Sequence, residues 1–154
     1  MPRIAEADLE DPVQVDALIE ILDSYARGPG GQNAPISEEG RSILADGLHR
    51  HPTGFALLAF EGERAVAAAT CFSGFSTFTG KPTINVHDLA VLPEFQGHGI
   101  GRALLAHIED RARANGCGKV TLEVHETNEG AKRLYRELGY GPWDTVTIAL
   151  QKRV

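Results

Sequence analysis

Residues 89–102 read LAVLPEFQGHGIGR, and three glycines alternate near the end of this stretch, at positions 97, 99 and 101. An apolar run precedes them and an amphipathic run follows, which is the pattern of a strand that leads into a helix. Glycine tolerates a positive φ and leaves no Cβ in the path of a ligand. A helix begins with unpaired N–H groups and the positive end of its dipole, so it attracts anions. The stretch predicts a phosphate cradle; the alternative is that the glycines only make a tight turn.

Two common phosphate-binding motifs do not match this chain. The dinucleotide fingerprint G-x-G-x-x-G would need a small residue at position 102 or 104, where Arg102 and Leu104 stand. The segment from Gly74 to Lys81 approaches a P-loop, but its spacer is one residue too long and Pro82 replaces the hydroxyl residue. The sequence therefore indicates neither a dinucleotide site nor a nucleoside triphosphate site.

Strand and helix patterns extend on both sides of the glycine-rich stretch. Before it, the chain predicts a short strand, two helices and three strands, at residues 3–7, 11–27, 37–51, 55–60, 65–72 and 83–91. After it, the chain predicts a helix, a strand, a helix and a strand, at residues 99–115, 119–124, 129–138 and 145–150. The order β-α-α-β-β-β-α-β-α-β indicates an α/β fold with one mixed sheet. A chain of 154 residues fits one core, so we expect a single domain over residues 1–154.

The composition argues against several classes of protein. Charged residues make up 23% of the chain and hydrophobic residues 42%, as in an ordinary globular domain. The formal net charge of −6 argues against a nucleic-acid partner, and no apolar run approaches the length of a membrane helix. Cys71 and Cys117 lie far apart and the histidines show no metal-ligand spacing, so we expect no metal. Acidic residues stand near the N-terminus where a secretion signal would be apolar, so we expect a cytoplasmic protein.

The motif Gln96-Gly97-His98-Gly99-Ile100-Gly101 resembles the Q/R-x-x-G-x-G/A motif of the GNAT superfamily of N-acetyltransferases. The similarity extends over residues 83–141, through Asp88-Leu89-Ala90-Val91, Leu122-Glu123-Val124 and Leu138-Gly139-Tyr140, with Asn128 and Tyr135 in register. The predicted order of elements also agrees with the GNAT fold. The resemblance therefore implies an acyl-CoA N-acyltransferase fold, with acetyl-CoA as co-substrate and no metal.

The resemblance also implies roles for individual residues. The main chain of one strand would pair with the pantetheine arm of acetyl-CoA, and the glycine-rich loop with an arginine would hold the pyrophosphate. The residues are Leu89, Ala90 and Val91 for the pantetheine arm, and Gln96, Gly97, His98, Gly99, Ile100, Gly101 and Arg102 for the pyrophosphate. Asn128 would contact the pantetheine or order the next helix, and Tyr135 would face the thioester sulfur. Their spacing is close to two helical turns, which places both on one face; the alternative for Tyr135 is an aromatic side chain that closes the core.

Acetyl transfer requires a neutral amine, and three residues are candidates for the base that provides it. His87 comes first, because it shares the alternating face of Leu89 and Val91 and because imidazole titrates near neutral pH. Glu123 comes second, on the next strand, where some relatives that acetylate N-termini use a glutamate. Asp88 comes third, because it points to the opposite face of its strand. In polyamine-acetylating relatives a carboxylate occupies the place of His87, and each of the three residues also has a purely structural interpretation.

The acceptor is less well specified than the cofactor site. Two loops, residues 28–36 and 72–82, lie where the resemblance implies the acceptor site, and Phe75, Phe78 and the net negative charge favour a cationic or partly apolar amine. We expect an N-acetyltransferase that moves an acetyl group from acetyl-CoA to a primary amine of a small acceptor, by direct attack on the thioester. The alternatives are a non-catalytic CoA-binding sensor or regulatory module, and an enzyme that acetylates protein lysines or N-termini. The resemblance is also compatible with a homodimer.

Overall fold

A computed structural model describes all residues of the chain, 1–154. It contains five strands and four α-helices, with a 3-10 turn at Pro93–Phe95. The bounds are β1 Arg3–Glu6, α1 Pro12–Arg27, α2 Glu38–Arg50, β2 Gly54–Glu61, β3 Arg64–Ser76, β4 Lys81–Val91, α3 Ile100–Ala114, β5 Lys119–Leu122 and α4 Glu129–Glu137. None of the four helices combines the length and the hydropathy that a bilayer crossing requires. The α/β class and the predicted order from β1 to α4 are confirmed.

The five strands form one sheet in the order β1-β2-β3-β4-β5. Strands β1 to β4 pair antiparallel, and β4 pairs parallel with β5. Leu57 and Ala59 of β2 pack in the core with α3 and α4, whereas Ala56 and Leu58 pack in the core with α1 and α2. Alternate residues of a strand point to opposite faces of the sheet. The continuous apolar run of β2 is therefore explained by helices that cover both faces.

Three of the four helices start at a side-chain cap. The side-chain oxygens of Asp11, Ser37 and Asn128 each accept a hydrogen bond from a first-turn N–H of α1, α2 and α4, over 2.9, 3.0 and 3.1 Å. Each of these bonds satisfies a donor that the helix itself leaves unpaired. Helix α3 has no side-chain cap and follows Gly99, which has a φ of +79°. The first turn of α3 therefore keeps its N–H groups unpaired.

Strand β4 contains a bulge at His87. Thr70 of β3 lies opposite Asp88, and the next residue of β3, Cys71, lies opposite Val86, so His87 has no partner in β3. Strand β5 pairs only with the part of β4 that precedes this bulge. A bulge bends its strand and increases the local twist. Beyond His87, β4 and the chain that follows β5 therefore diverge, and β4 keeps β3 as its only neighbour.

Two predicted elements differ from the structure. Residues 73–82, expected as a loop or strand end, instead extend β3 to Ser76 and begin β4 at Lys81, because the two strands pair through this tract. The predicted last strand at residues 145–150 is wrong: no strand pairs with it, and Val146, Ile148 and Leu150 are 89%, 75% and 90% exposed. Alternation supplies an apolar face, but a strand also needs a hydrogen-bonding neighbour, and no strand of this chain pairs with these residues.

Candidate active site

A cleft opens beside β4, on the side away from β3. Its walls are the part of β4 beyond the bulge and the chain that follows β5, residues 122–125. The first turns of α3 and α4 and residues 28–30 of the α1–α2 loop also line it. Its volume is about 1010 Å³, at the upper end of the range for small-molecule sites. The cleft can therefore take a ligand as large as a nucleotide conjugate.

A row of unpaired main-chain donors borders the cleft. None of the six successive N–H groups from Gly97 to Arg102 donates to an acceptor within the protein. Gly97 and Gly99 both have a φ of +79°, and a Cβ at either position would meet open space. The left-handed backbone, rather than crowding, therefore requires glycine here. Six free donors at the start of a helix form a site for a polyanion such as a diphosphate.

The open side of β4 presents a second set of main-chain groups. The N–H group of Leu92 donates to the carbonyl oxygen of Val66 in β3 over 2.9 Å. Because successive residues of a strand direct these groups to opposite sides, those of Ala90 also face β3, whereas those of Leu89 and Val91 face the cleft. The Val91 carbonyl oxygen accepts a hydrogen bond from Gln96 Nε2 over 3.0 Å. The Leu89 groups and the Val91 N–H can therefore pair with an extended polar ligand.

Two arginines line the cleft. The guanidinium group of Arg102 forms an ion pair with the carboxylate of Glu137, one of the last residues of α4. Arg133, also on α4, lines the cleft and has no carboxylate partner within 4.0 Å. The guanidinium group of Arg102, expected to hold a pyrophosphate, is thus already paired with a carboxylate. Arg133 is a second cation in the cleft, and nothing in the sequence signalled it.

Helix α4 contributes a tyrosine, Tyr135, to the cleft lining. The side chain of Tyr135 is 6% exposed, and burial raises the pKa of its hydroxyl to about 12, with a smaller contribution from Tyr25. No hydrogen bond within the chain contributes to this shift, so the hydroxyl is protonated at neutral pH and can donate to a ligand. Asn128, which caps the same helix through its Oδ1 atom, lines the cleft as well.

The three candidate bases occupy different places. His87 lines the cleft at the bulge, and its ring meets the ring of Phe72 edge-on, with 5.6 Å between the centroids. Glu123 follows β5 and lines the opposite wall. The carboxylate of Asp88 accepts a hydrogen bond from the hydroxyl of Thr70, and Asp88 does not line the cleft. The geometry therefore keeps His87 and Glu123 as candidates and leaves Asp88 with a structural contact.

Two residues predicted to bind the cofactor lie outside the cleft lining. Ala90 is buried, and its main-chain groups face β3. His98 is exposed, and its Nδ1 atom lies 3.2 Å from the carbonyl oxygen of Phe95. The other predicted residues line the one cleft: Leu89, Val91, Gln96, Gly97, Gly99, Ile100, Gly101, Arg102, Asn128 and Tyr135.

A hydrogen bond that the sequence does not signal fixes the α1–α2 loop at the cleft. The hydroxyl of Tyr25 on α1 donates a hydrogen bond to the carbonyl oxygen of Gly30 over 2.7 Å. A Cβ on Gly30 would lie 3.0 Å from Asn128 Nδ2, so the loop passes close to the start of α4. The glycines of the α1–α2 loop, at positions 28, 30 and 31, are typical of a close approach of the backbone. Tyr25, by contrast, lies in an amphipathic helix, where an aromatic residue predicts a core position. Only the fold shows that its hydroxyl fixes the loop.

The two loops expected at the acceptor site divide between two places. Residues 28–30 line the cleft, as expected, whereas no residue from 72 to 82 does. Phe75 and Phe78 are exposed, on the hairpin that joins β3 to β4. Phe72 comes nearest to the cleft, through its contact with His87. Phe75 and Phe78 therefore lie outside the cleft lining, and they do not support the expectation of a partly apolar acceptor.

Comparison with known proteins gives a consistent result. The model of the acetyltransferase (GNAT) family matches residues 15–140. Mycothiol acetyltransferase of Nocardiopsis dassonvillei is 38% identical over 122 residues, which cover 70% of this chain and 36% of that protein. Thialysine N-epsilon-acetyltransferase of Mus musculus is 28% identical over 145 residues, covering 89% and 82%. Streptothricin acetyltransferase of Streptomyces lavendulae is 32% identical over 96 residues, covering 62% and 48%. The chain thus spans less than half of two of these relatives.

Solved structures share the fold across the chain. A transcriptional regulator from Bacillus halodurans C-125 superposes with a TM-score of 0.82 at 18% identity, covering 99% of this chain and 100% of that one. A ribosomal-protein-alanine N-acetyltransferase from Brucella melitensis superposes with a TM-score of 0.75 at 22% identity, covering 97% and 100%. At these identities the likeness establishes the architecture and leaves the substrate open.

Proposed function

The chain belongs to the acetyltransferase (GNAT) family, whose members use acetyl-CoA as co-substrate, and we propose that it acetylates the primary amine of a small molecule by direct attack of the amine on the thioester. One observation carries the proposal: five of the six residues with free amides from Gly97 to Arg102, all but His98, line the same cleft as Tyr135. The amides suit a diphosphate, and the hydroxyl of Tyr135 suits the sulfur at the other end of the same ligand.

The residues present fit acetyl-CoA at two points. The amide row offers donors for the pyrophosphate, and Arg133 adds a positive charge to the same cleft. The open main-chain groups of Leu89 and the N–H group of Val91 match the amides of a pantetheine arm. When bound, acetyl-CoA supplies the acyl group as a thioester, and the open main-chain N–H groups of β4 would be the donors that stabilise the negative charge developing on its carbonyl oxygen.

The amine must lose a proton to become a nucleophile. A lysine-like amine with a pKa of about 10.4 is only about 0.04% neutral at pH 7, which costs about 4.6 kcal/mol. His87 and Glu123 line opposite walls of the cleft, and we assign the base to His87 because imidazole accepts a proton near neutral pH. The first proton leaves through His87 to solvent. The neutral amine nitrogen then bonds to the acetyl carbon, the carbon–sulfur bond breaks, and the second proton of the nitrogen passes to His87 directly or through water.

The leaving thiolate requires stabilisation, and Tyr135 is suited to provide it by hydrogen bonding. Its pKa of about 12 exceeds that of an ordinary thiol, about 8.5, so full proton transfer to the thiolate would be uphill by about 5 kcal/mol. A hydrogen bond from the hydroxyl to the sulfur stabilises the developing negative charge without that cost. The thiolate then takes its proton from solvent or from protonated His87.

A small acceptor is supported by the relatives and by the shape of the cleft. The three curated relatives are named for mycothiol, thialysine and streptothricin, which are small molecules. The α1–α2 loop passes over the cleft near Asn128, held by the Tyr25 hydrogen bond. A loop in this place limits the access of a folded protein surface more than that of a free amine.

The proposal can be tested by thiol release from acetyl-CoA. The protein is incubated with acetyl-CoA and, separately, with thialysine, an aminoglycoside, a polyamine and a lysine-containing peptide. We expect release with one or more of the small amines, and a much larger loss of kcat in His87→Gln than in Glu123→Gln. Release with the peptide alone would favour a protein acetyltransferase. Tight binding of acetyl-CoA without release would favour a sensor, and either result would contradict the proposal.

A further inference from the structure

The imidazole ring of His87 is oriented by an aromatic contact rather than by a hydrogen bond. His51, His98 and His125 each have a ring nitrogen within hydrogen-bonding distance of a protein oxygen, whereas the chain offers no such partner to His87. A histidine that accepts a proton is often held by a hydrogen bond to its second ring nitrogen. Here the ring of Phe72 takes that place, with the two rings nearly perpendicular, at 85°, and 5.6 Å between their centroids.

The bulge of β4 directs His87 toward α1 and α2. Val86 and Leu89 both pack in the core with α3 and α4, although residues of a regular strand point to alternate faces. The two residues between them, His87 and Asp88, therefore both point to the opposite face, the one that α1 and α2 cover. The expectation that His87 shares the face of Leu89 and Val91 is wrong, because the bulge interrupts the alternation.

Phe72 lies on this same face, and its own position is closely fixed. It packs against the core with α1 and α2, and Gly54 of β2 stands directly opposite. A Cβ at Gly54 would lie 3.0 Å from Phe72 Cε1 and 2.8 Å from Leu48 Cδ1, so the glycine leaves the space that both side chains use. The ring of His51, which ends α2, also meets the Phe72 ring edge-on, with 4.8 Å between centroids. Phe72 is thus held by β2 and α2 on one side and contacts His87 on the other.

The contact matters because the side chain of His87 is exposed. An exposed imidazole with no fixed neighbour distributes over several staggered rotamers. Only a rotamer whose ring nitrogen reaches the amine, directly or through one water, allows proton transfer. A contact between aromatic rings favours one arrangement over the others by a modest factor. A fixed ring beside His87 therefore raises the fraction of molecules that are ready to react.

We propose that Phe72 is a positioning residue, which orients the imidazole of His87 for proton transfer from the acceptor amine. This role rests on the proposed function, in which His87 is the base. Phe72 does not line the cleft, so it acts through His87 and not on the bound substrates. Its loss should therefore lower kcat and leave the KM for acetyl-CoA nearly unchanged.

The experiment compares Phe72→Leu with Phe60→Leu, alone and in the background of His87→Gln. Phe60 is a matched control, because it is also a half-buried ring packed against the core with α1 and α2, but it lies outside the cleft and away from His87. We expect kcat to fall about three- to tenfold in Phe72→Leu and to stay near the wild-type value in Phe60→Leu. In the background of His87→Gln, Phe72→Leu should have little further effect, since the two residues act as a unit.

The position of the ring is measured separately from acetyl transfer, by proton NMR of the imidazole signals. The chain has six histidines, and the signal that is lost in His87→Gln belongs to His87. The ring current of Phe72 displaces this signal, so Phe72→Leu should move it toward the position of free imidazole and Phe60→Leu should not. Circular dichroism checks folding, and Phe72→Met replaces Phe72→Leu if that variant is unfolded, because methionine is flexible enough to fill the gap.

Three results would overturn this role of Phe72 while the wild-type protein is active. The first is an unchanged kcat in Phe72→Leu. The second is an equal fall of kcat with and without His87, which would show that Phe72 acts by another route. The third is a His87 signal that does not respond to the loss of Phe72. A wild-type protein that transfers no acetyl group would instead overturn the proposed function, and this role with it.

Discussion

Arg102, at the start of α3, and Glu137, at the end of α4, form an ion pair at the border of the cleft. Both side chains are about half exposed, at 46% and 51%, and exposed ion pairs contribute little to stability. Their place matters more than their strength, because Arg102 follows directly on the amides that suit a diphosphate. The carboxylate of Glu137 competes with that anion for the same guanidinium group.

The substitution Glu137→Gln should therefore strengthen the binding of CoA. Releasing Arg102 from its carboxylate partner and removing one negative charge should lower the Kd by about three- to tenfold at low salt, as expected for a charge-assisted contact. Calorimetry at low and high ionic strength provides the measurement, and salt should reduce the difference. In the background of Arg102→Ala the same substitution should have much less effect. An equal gain in both backgrounds would show that Arg102 does not contact the phosphates.

The substitution Tyr25→Phe should weaken the acceptor site selectively. It removes the hydrogen bond to the Gly30 carbonyl oxygen and keeps the ring, so the loop over the cleft loses about 1 kcal/mol of restraint. We expect the KM for the amine to rise about fivefold, with the KM for acetyl-CoA little changed. Steady-state kinetics with each substrate varied in turn provides the measurement. A rise in the KM for acetyl-CoA alone would assign the loop to the cofactor instead.

The substitution Tyr135→Phe should lower kcat by tenfold or more, with the KM for acetyl-CoA little changed. The reason is that a hydrogen bond to the leaving sulfur strengthens as charge develops on it, so its loss raises the barrier by about 1.4 kcal/mol or more. Tyr140→Phe is a matched control, because that hydroxyl bonds to Glu109 outside the cleft. Equal kcat values for the two variants would remove Tyr135 from the mechanism.

The substitution Gly99→Glu should abolish tight CoA binding. It places a carboxylate among the amides that suit a diphosphate, and it strains a backbone with a φ of +79°. Gly116→Glu controls for the strain, since Gly116 also has a positive φ, +68°, and also has open space around its Cβ position, but lies outside the cleft. Calorimetry should show at least a tenfold loss of affinity for Gly99→Glu only. Comparable affinities in the two variants would contradict the phosphate cradle.

The substitution Asp23→Asn should reduce stability in a pH-dependent way. The hydrogen bond from Arg27 (2.7 Å), the Ile36 N–H group (2.8 Å) and the charge of Arg41 hold the pKa of Asp23 below its ordinary value. A lowered carboxyl pKa stabilises the fold above the ordinary pKa of aspartate, about 3.9, and this contribution is lost as the pH falls below it.

We therefore expect the Tm of Asp23→Asn to be several degrees lower than that of the wild type at neutral pH. The difference should shrink as the pH falls to about 3. Asp46→Asn is the control, because Asp46 pairs with Arg50 at an exposed site (2.9 Å) and should change the Tm little. Thermal unfolding followed by circular dichroism provides the measurement. A difference that stays constant from neutral to acid pH would show that the charge of Asp23 is not what stabilises the fold.

Features that depend on neighbouring residues could be predicted from the sequence. Asp11, Ser37 and Asn128 mark helix starts because their side chains reach the N–H groups two or three residues ahead. Gly97 and Gly99 predict a left-handed turn because no other residue adopts that backbone at so little cost. The order of elements from β1 to α4, and most of the residues that line the cleft, followed from such local signals together with the family resemblance.

Other features depend on which segments the fold brings together. The bulge that sets His87 at the cleft arises from the register of β3 against β4. The ion pair of Arg102 with Glu137 and the approach of Gly30 to Asn128 join residues far apart in the chain. The segment at 145–150 has the alternation of a strand, but no strand of this chain pairs with it. The sequence by itself determined the local backbone and the identity of the chemical groups, because these depend on short-range sterics and hydrogen bonds. Only the tertiary structure decided the pairing and the assembly of the cleft, because these depend on the packing of distant segments.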